Sequence, residues 1–195
     1  MKREPQFAAV PMKSVGPVAI TGPVLEGEVM APLATYEKPL WPSVARGARV
    51  TRRCGGIQVV CLGESMTRSV LLVADGALQA KEAIDFVLAN RDRLQAVTAE
   101  TSRFARLKEI HPEIVGNLLY LRFAFTTGDA AGHNMATRAA EALLNWVLAE
   151  RPELRYGSIS GNLCTDKKVS AVNGLLGRGR SMVAEASLPE NVCVK

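Results

Sequence analysis

The most regular part of the chain lies between Ser69 and Ser160, where apolar residues change between a period of two and a period near 3.6. Val70 to Val73 is a short apolar run ending at the turn Asp75-Gly76. Over the next twenty residues Ala80, Ile84, Val87, Leu88 and Leu94 fall near one helical face. Phe104 to Ile110 predicts a strand closed by His111-Pro112. After Gly116, Leu119, Leu121, Phe123 and Phe125 alternate with Leu118, Tyr120, Arg122 and Ala124, which predicts a strand with one wholly apolar face. From Met135 to Glu150, Ala136, Ala139, Ala140, Leu143, Leu144, Val147 and Leu148 follow i, i+3, i+4, i+7 spacing and predict an amphipathic helix stopped by Pro152. Tyr156 to Ser160 predicts a last strand, so the order is β-α-β-β-α-β.

That order is the split unit of a ferredoxin-like fold, in which two helices cover one face of an antiparallel sheet, and it places the chain in the α/β (α+β) class. The flanks are less regular. Val15-Gly16-Pro17 and Thr21-Gly22-Pro23 break the first 45 residues into short strands and turns, and Ile57 to Leu62 predicts a buried strand ended by Gly63. Lys168 to Leu176 predicts a helix, Gly177-Arg178-Gly179-Arg180 a turn and Met182 to Ala186 a strand. We therefore expect a small unit, 69–158, inserted into a larger domain whose pieces are 1–68 and 159–195. Those pieces are short for an independent core, which predicts a fragment or a chain that needs a partner.

Composition narrows the classes. With 195 residues, 48% of them hydrophobic, the chain can bury a core and is not of disordered composition. A net charge of +5, spread along the chain, gives no concentrated nucleic-acid footprint and suits anionic small molecules equally. Cys54, Cys61, Cys164 and Cys193 form no C-x-x-C pair and only two histidines exist, which argues against a structural zinc site and for free thiols in a reducing cytoplasm. No apolar stretch reaches the roughly 18 residues that read as a membrane span.

Two loops carry candidate chemistry. Thr127 to Met135 joins a strand to a helix through Gly128 and Gly132, so its backbone can approach a ligand and its helix-start amides favour an anion; the plainer alternative is a glycine turn with Asp129 or Asn134 as helix cap. It is not a Rossmann G-x-G-x-x-G. The second loop, Ser160 to Lys168, follows a strand and places Lys167 beside Asp166, a pair able to stabilise an oxyanion or simply a solvated Asp-Lys contact. Arg68 and Arg103 could clamp a carboxylate or phosphate, or be surface arginines, and Glu37 could donate a proton if buried. His111 and His133 show no matching base or metal partner and are treated as non-catalytic.

Together these segments resemble the hydroxymethylglutaryl-coenzyme A reductase family, in the branch shared by eukaryotes, archaea and some bacteria. The markers, in family order, are Val10-Pro11 to Gly16-Pro17, Pro32-Leu33-Ala34-Thr35-x-Glu37, Met66-Thr67-Arg68, Thr101 to Leu107, Gly128-Asp129-Ala130-x-Gly132-x-Asn134-Met135, Ser160 to Lys168 and Gly177 to Ser181. The resemblance implies that Lys167 stabilises the thioester and aldehyde oxygens and that Glu37 donates a proton. It implies that Arg68, Ser160, Asp166 and Lys168 hold the hydroxymethylglutaryl group. Asp129, Ala130, Gly132, Asn134 and Met135 would line a nicotinamide cofactor, with Ser102, Arg103 and Phe104 at its nucleotide end and Arg103 facing a 2′-phosphate, hence NADPH before NADH.

The resemblance further implies reduction of hydroxymethylglutaryl-coenzyme A to mevalonate and coenzyme A by two hydride transfers, in a homodimer or higher homo-oligomer with its active site between subunits. The ferredoxin-like unit would be the nucleotide domain, set into a substrate domain. The chain departs from the family pattern where Ala131 and His133 replace methionines and where Tyr36 and Lys38 flank Glu37. By the same resemblance, a glycine-rich segment, a G-Q-D aspartate and a late histidine would follow Lys195. A non-catalytic relative that binds nucleotide or acyl-coenzyme A is the alternative expectation. A purely structural ferredoxin-like protein is disfavoured by the presence of Glu37, Lys167 and the glycine loop.

Overall fold

The computed structural model describes residues 7–165 and 168–193. The chain divides into two compact units: the described residues up to Leu62 with those from Met182 onward, and Gly63–Ser181.

The first unit contains β1 (Met12–Thr21), β2 (Gly27–Ala34), α1 (Leu40–Arg53) and the start of β3 (Ile57–Val73). β1 and β2 pair antiparallel from Met12↔Ala34 to Ile20↔Gly27, and the register shifts between Val15 and Val18, where Pro17 has no N–H for the ladder. Ile20 and Thr21 pair parallel with Ile57 and Gln58. Helix α1, which the periodicity did not suggest, buries Trp41 and Ala48, and the Trp41 indole N–H donates to Leu33 O at 2.8 Å. Its 14 residues include Arg46, Arg49, Arg52 and Arg53.

The second unit holds the rest of β3, α2 (Ala77–Ala89), α3 (Arg91–Thr101), β4 (Arg106–Val115), β5 (Leu118–Thr126), α4 (His133–Glu150), β6 (Arg155–Ser158) and α5 (Ala171–Leu176). Its strands lie in the order β6-β3-β5-β4, every neighbouring pair antiparallel, which is the ferredoxin-like sheet. β7 (Gly179–Glu185) also pairs with β3, and the four-residue helix α6 (Glu190–Cys193) ends the described chain. Val70 and Leu72 of β3 and Leu119, Leu121, Phe123 and Phe125 of β5 pack with Leu94, Leu143, Leu144 and Val147 of the helices in one core. Phe86 stacks on Trp146 with ring centres 5.6 Å apart at its margin.

Five boundaries differ from the sequence expectation. β3 runs unbroken through Gly63, because an extended glycine breaks nothing and Gly63 needs no positive φ. The expected single helix after Gly76 is two, parted at Asn90, whose side-chain amide donates to Phe86 O at 2.8 Å and closes α2. β4 continues through His111-Pro112 to Val115, because it is the edge strand and Pro112 there forfeits no partner on its outer side. The helix expected from Lys168 begins only at Ala171, capped by Ser170 Oγ, which accepts from Asn173 N, and the expected turn at Gly177–Arg180 is already strand from Gly179.

Candidate functional site

The start of α4 is built for close approach. Gly128 and Gly132 have φ of 61° and 81°. A Cβ on Gly132 would meet Thr127 Cγ2 at 2.4 Å, so only glycine fits there without displacement. Thr127 cannot readily yield, since its backbone N–H donates to Glu64 Oε1 at 3.0 Å and its hydroxyl to Ala130 O at 2.9 Å. Gly132 is the N-cap, no side chain caps the helix, and the first turn carries no acid. Neither Asp129 nor Asn134 therefore acts as the cap, and the terminal N–H groups and positive dipole end suit an anion.

Ser102, Arg103 and Phe104 come to this loop from the α3–β4 connection. Ser102 Oγ accepts from the backbone N–H of Phe104 and Ala105 at 3.1 and 3.3 Å, which fixes the bend. The exposed Phe104 ring lies 3.7 Å from where a Cβ on Gly128 would stand, and the Arg103 guanidinium sits 5.6 Å from the ring centre. The two halves of the expected cofactor group thus adjoin. Asp129, Ala130 and Asn134 are exposed and Met135 is half-buried.

Arg68 reaches the same helix from β3: its Nε and Nη2 donate to Thr137 Oγ1 at 3.0 and 2.7 Å, and Thr137 Oγ1 donates to His133 O at 2.9 Å. Ser160 begins the loop after β6, its N–H donating to Ser158 Oγ at 3.1 Å and its Oγ accepting from Asn162 N at 3.4 Å. Cys164 is fully buried in that loop, and its sulfur accepts from Ser69 N at 3.4 Å, beyond the end of the β3–β6 ladder. Lys168 N donates to Thr165 O at 3.1 Å. Asp166 and Lys167 lie outside the described residues.

A cavity of about 410 Å³ joins the two loops, lined by His133, Lys168, Val169, Ser170, Asn173, Gly174 and Arg178. His133, expected to be non-catalytic, therefore lines the same space as Lys168. A smaller cavity of about 180 Å³ lies beside Glu64, Thr127, Ala130, Ala131 and Arg180. Arg180 donates from Nη2 to Gly128 O and stands 3.9 Å from Glu64 Oε1, so it braces the glycine loop. The sequence marked Thr127 only as the start of the glycine loop and Arg180 only within a turn and a family marker, and did not mark Glu64 or Asn173. Their roles depend on chain distant in sequence.

Glu37 lies in the first unit. Its side chain is exposed, its N–H donates to Thr35 Oγ1 at 2.9 Å, and its carbonyl accepts from Leu40 N at 3.0 Å. This turn leads into α1. In the same unit, Lys13, Ser14, Lys38 and Trp41 line an open cavity of about 470 Å³.

Comparison with known proteins accords with this geometry. A solved class II 3-hydroxy-3-methylglutaryl-CoA reductase from Streptococcus pneumoniae, bound to NADPH in open conformations, superposes with a TM-score of 0.64 at 20% identity, covering 82% of this chain and 44% of that one. That likeness establishes the fold. The 3-hydroxy-3-methylglutaryl-coenzyme A reductase of Pyrococcus abyssi is 43% identical over 187 residues, 95% of this chain and 46% of its own length. That of Methanothermobacter thermautotrophicus is 40% identical over 181 residues, 92% of this chain and 45% of its own. The chain spans about half the length of these curated relatives. The family model described as hydroxymethylglutaryl-coenzyme A reductase matches residues 7–195. The chain belongs to the hydroxymethylglutaryl-coenzyme A reductase family.

Proposed function

We propose that the protein to which this chain belongs reduces 3-hydroxy-3-methylglutaryl-coenzyme A to mevalonate and coenzyme A with two equivalents of NAD(P)H. The observation that carries this is the single cavity lined both by His133, the first residue of the glycine-capped α4, and by Lys168 of the lysine loop. An uncapped helix start and a cradle that only glycine fits suit a dinucleotide, and the solved Streptococcus pneumoniae relative is described as bound to NADPH. When bound, the cofactor supplies the hydride.

The chain's own residues would divide the remaining work. Lys167 stabilises the carbonyl oxygen as negative charge develops on it, first toward the hemithioacetal and again as the aldehyde is reduced. Arg68, with Ser160, Asp166 and Lys168, holds the hydroxymethylglutaryl group and its free carboxylate, since a guanidinium matches a carboxylate in shape and charge. Glu37 donates a proton to complete the alcohol. Ser102, Arg103 and Phe104 hold the nucleotide end, and Asp129, Ala130, Gly132, Asn134 and Met135 line the nicotinamide portion. An exposed Arg103 beside Phe104 supports NADPH over NADH.

In this reading 69–158 is the nucleotide domain, and 1–68 with 159–195 belongs to the substrate domain. The working form is a homodimer or higher homo-oligomer with the site between subunits. The four cysteines form no C-x-x-C pair, which supports a reducing cytoplasm. Among the described residues no helix is long and apolar enough to cross a membrane.

The test uses the protein at its natural length, assayed for substrate-dependent NAD(P)H oxidation and for mevalonate. We expect two cofactors oxidised per mevalonate, and we expect Lys167→Ala to lower kcat by about 10²-fold or more with cofactor affinity kept. Near-normal turnover of Lys167→Ala would refute the assigned mechanism. Binding of both ligands without turnover by the unaltered protein would make it a non-catalytic relative.

A further inference from the structure

Side chains alternate across a strand, so the residues of β3 and β5 that do not face the helices share the opposite face of the sheet. There Ser69 pairs with Arg122 and Thr67 with Ala124, and all four are buried. Gly161 and Gly177 reach this face: a Cβ on Gly161 would stand 2.8 Å from the Tyr120 ring, and Arg122 Nη2 donates to Gly177 O at 2.6 Å. Arg122 is fully buried, and its Nε and Nη1 have no hydrogen-bond partner among the described residues. Burial pushes its pKa down, an effect opposed by the nearby Cys164. A cation held this way is costly, so what it contacts matters.

Among the described residues, Nη2 also donates to Asn173 Oδ1, at 3.5 Å. A guanidinium has only donors, so Asn173 must turn its oxygen toward Arg122. The carboxamide nitrogen then points the other way, to Cys164 O at 3.1 Å, Thr165 Oγ1 at 3.0 Å and Lys168 O at 3.2 Å. One side-chain amide thus ties Cys164 and Thr165 to Lys168, which the Lys168 N to Thr165 O bond also joins. Asn173 is itself anchored by its backbone N–H, which donates to Ser170 Oγ at 3.2 Å.

We propose that Asn173, oriented by the buried Arg122, is a positioning residue for Thr165 and Lys168, the described residues that flank Asp166 and Lys167 in sequence. Its value to catalysis rests on the role given above to Lys167; its tether does not. An oxyanion-stabilising lysine acts only if held where charge develops, so loosening the residues that flank it lowers kcat more than it weakens substrate binding. No carboxylate among the described residues hydrogen-bonds Arg122, so the carboxamide oxygen is the side-chain acceptor that sets this geometry.

The discriminating variant is Asn173→Asp in the natural-length protein. It keeps the shape and the oxygen facing Arg122 but replaces the donor with a second oxygen facing three acceptors. We expect kcat to fall about tenfold or more, NADPH affinity to stay within about twofold, and the melting temperature not to drop, because the new carboxylate pairs with Arg122. We also expect the amide of Lys168 to exchange hydrogen about tenfold faster, and kcat to recover in part toward low pH, where protonation restores one donor. If Asn173→Asp does not fold, Asn173→Ser is read by the same measures. A variant that keeps kcat within about twofold, or loses it only in step with melting temperature, overturns the proposal. If the unaltered protein has no turnover, the functional reading fails, while hydrogen exchange still decides the tether: unchanged exchange at Lys168 refutes it.

Discussion

Replacing Gly132 by alanine perturbs the chain at the start of α4. The added Cβ would stand 2.4 Å from Thr127 Cγ2, 2.5 Å from its Oγ1 and 2.7 Å from its Cβ. Holding alanine at φ 81° costs about 1–2 kcal/mol. Forcing an atom into that space adds about 1–3 kcal/mol, because Thr127 is tied to Glu64 and Ala130 and the strand beneath it is buried. The expected loss is therefore about 2–5 kcal/mol. The assay is denaturant unfolding followed by Trp146, which stacks on Phe86 within the same unit, in a Trp41→Phe background that silences the other tryptophan. Thr127→Ala removes the two closest atoms, so the double variant should lose less than the sum of the singles, by about 1 kcal/mol or more. NADPH affinity should fall alongside stability, because the same glycine lets the backbone approach the cofactor. A Gly132→Ala protein within about 0.5 kcal/mol of the unaltered one would refute the argument.

Arg68→Ala should raise the substrate KM by about 10- to 100-fold, the range of a lost charged hydrogen bond, with a smaller effect on kcat; an unchanged KM would remove Arg68 from the site. Arg103→Ala should narrow the difference in affinity between NADPH and NADH, measured by fluorescence titration of each, and leave NADH nearly unaffected. Glu153 has its pKa lowered by a hydrogen bond from its own backbone and by Arg151, so its carboxylate favours the folded state above the ordinary value of 4.5, and that contribution is lost as pH falls through the lower folded value. Glu153→Gln should therefore melt below the unaltered protein near neutral pH, and the two melting curves should converge in acid.

The β-α-β-β-α-β unit was legible because its elements are long and their apolar residues repeat at the period each element imposes. The alternation through Leu119, Leu121, Phe123 and Phe125 and the stripe from Ala136 to Val147 are the core as folded. The glycine loop before α4 was legible for another reason: Gly128 and Gly132 are local requirements of backbone conformation, readable as residue types. Elements whose reason is not local escaped. α1 is arginine-rich and follows chain punctuated by Pro and Gly, and its burial is limited to Trp41 and Ala48. Gly63 gives a stop signal that an extended backbone ignores, and Pro112 is tolerated only because tertiary order makes β4 an edge.

The sequence by itself determined the kinds of group available: a basic loop after a strand, a glycine turn before a helix, and arginines at element boundaries. Only the tertiary structure decided which of them meet. Arg122 reads in sequence as the polar position of an alternating strand, which ordinarily faces water. Asn173 and Gly177 pack against it, and a solvated arginine becomes a buried cation that orients Asn173. Likewise His133 and Lys168, 35 positions apart, line one cavity because β6 returns beside β3 and brings the lysine loop to the start of α4. Periodicity reports what one segment requires of its surroundings, whereas the partner that satisfies it is set by the closure of the sheet and by long-range contacts that no local pattern encodes.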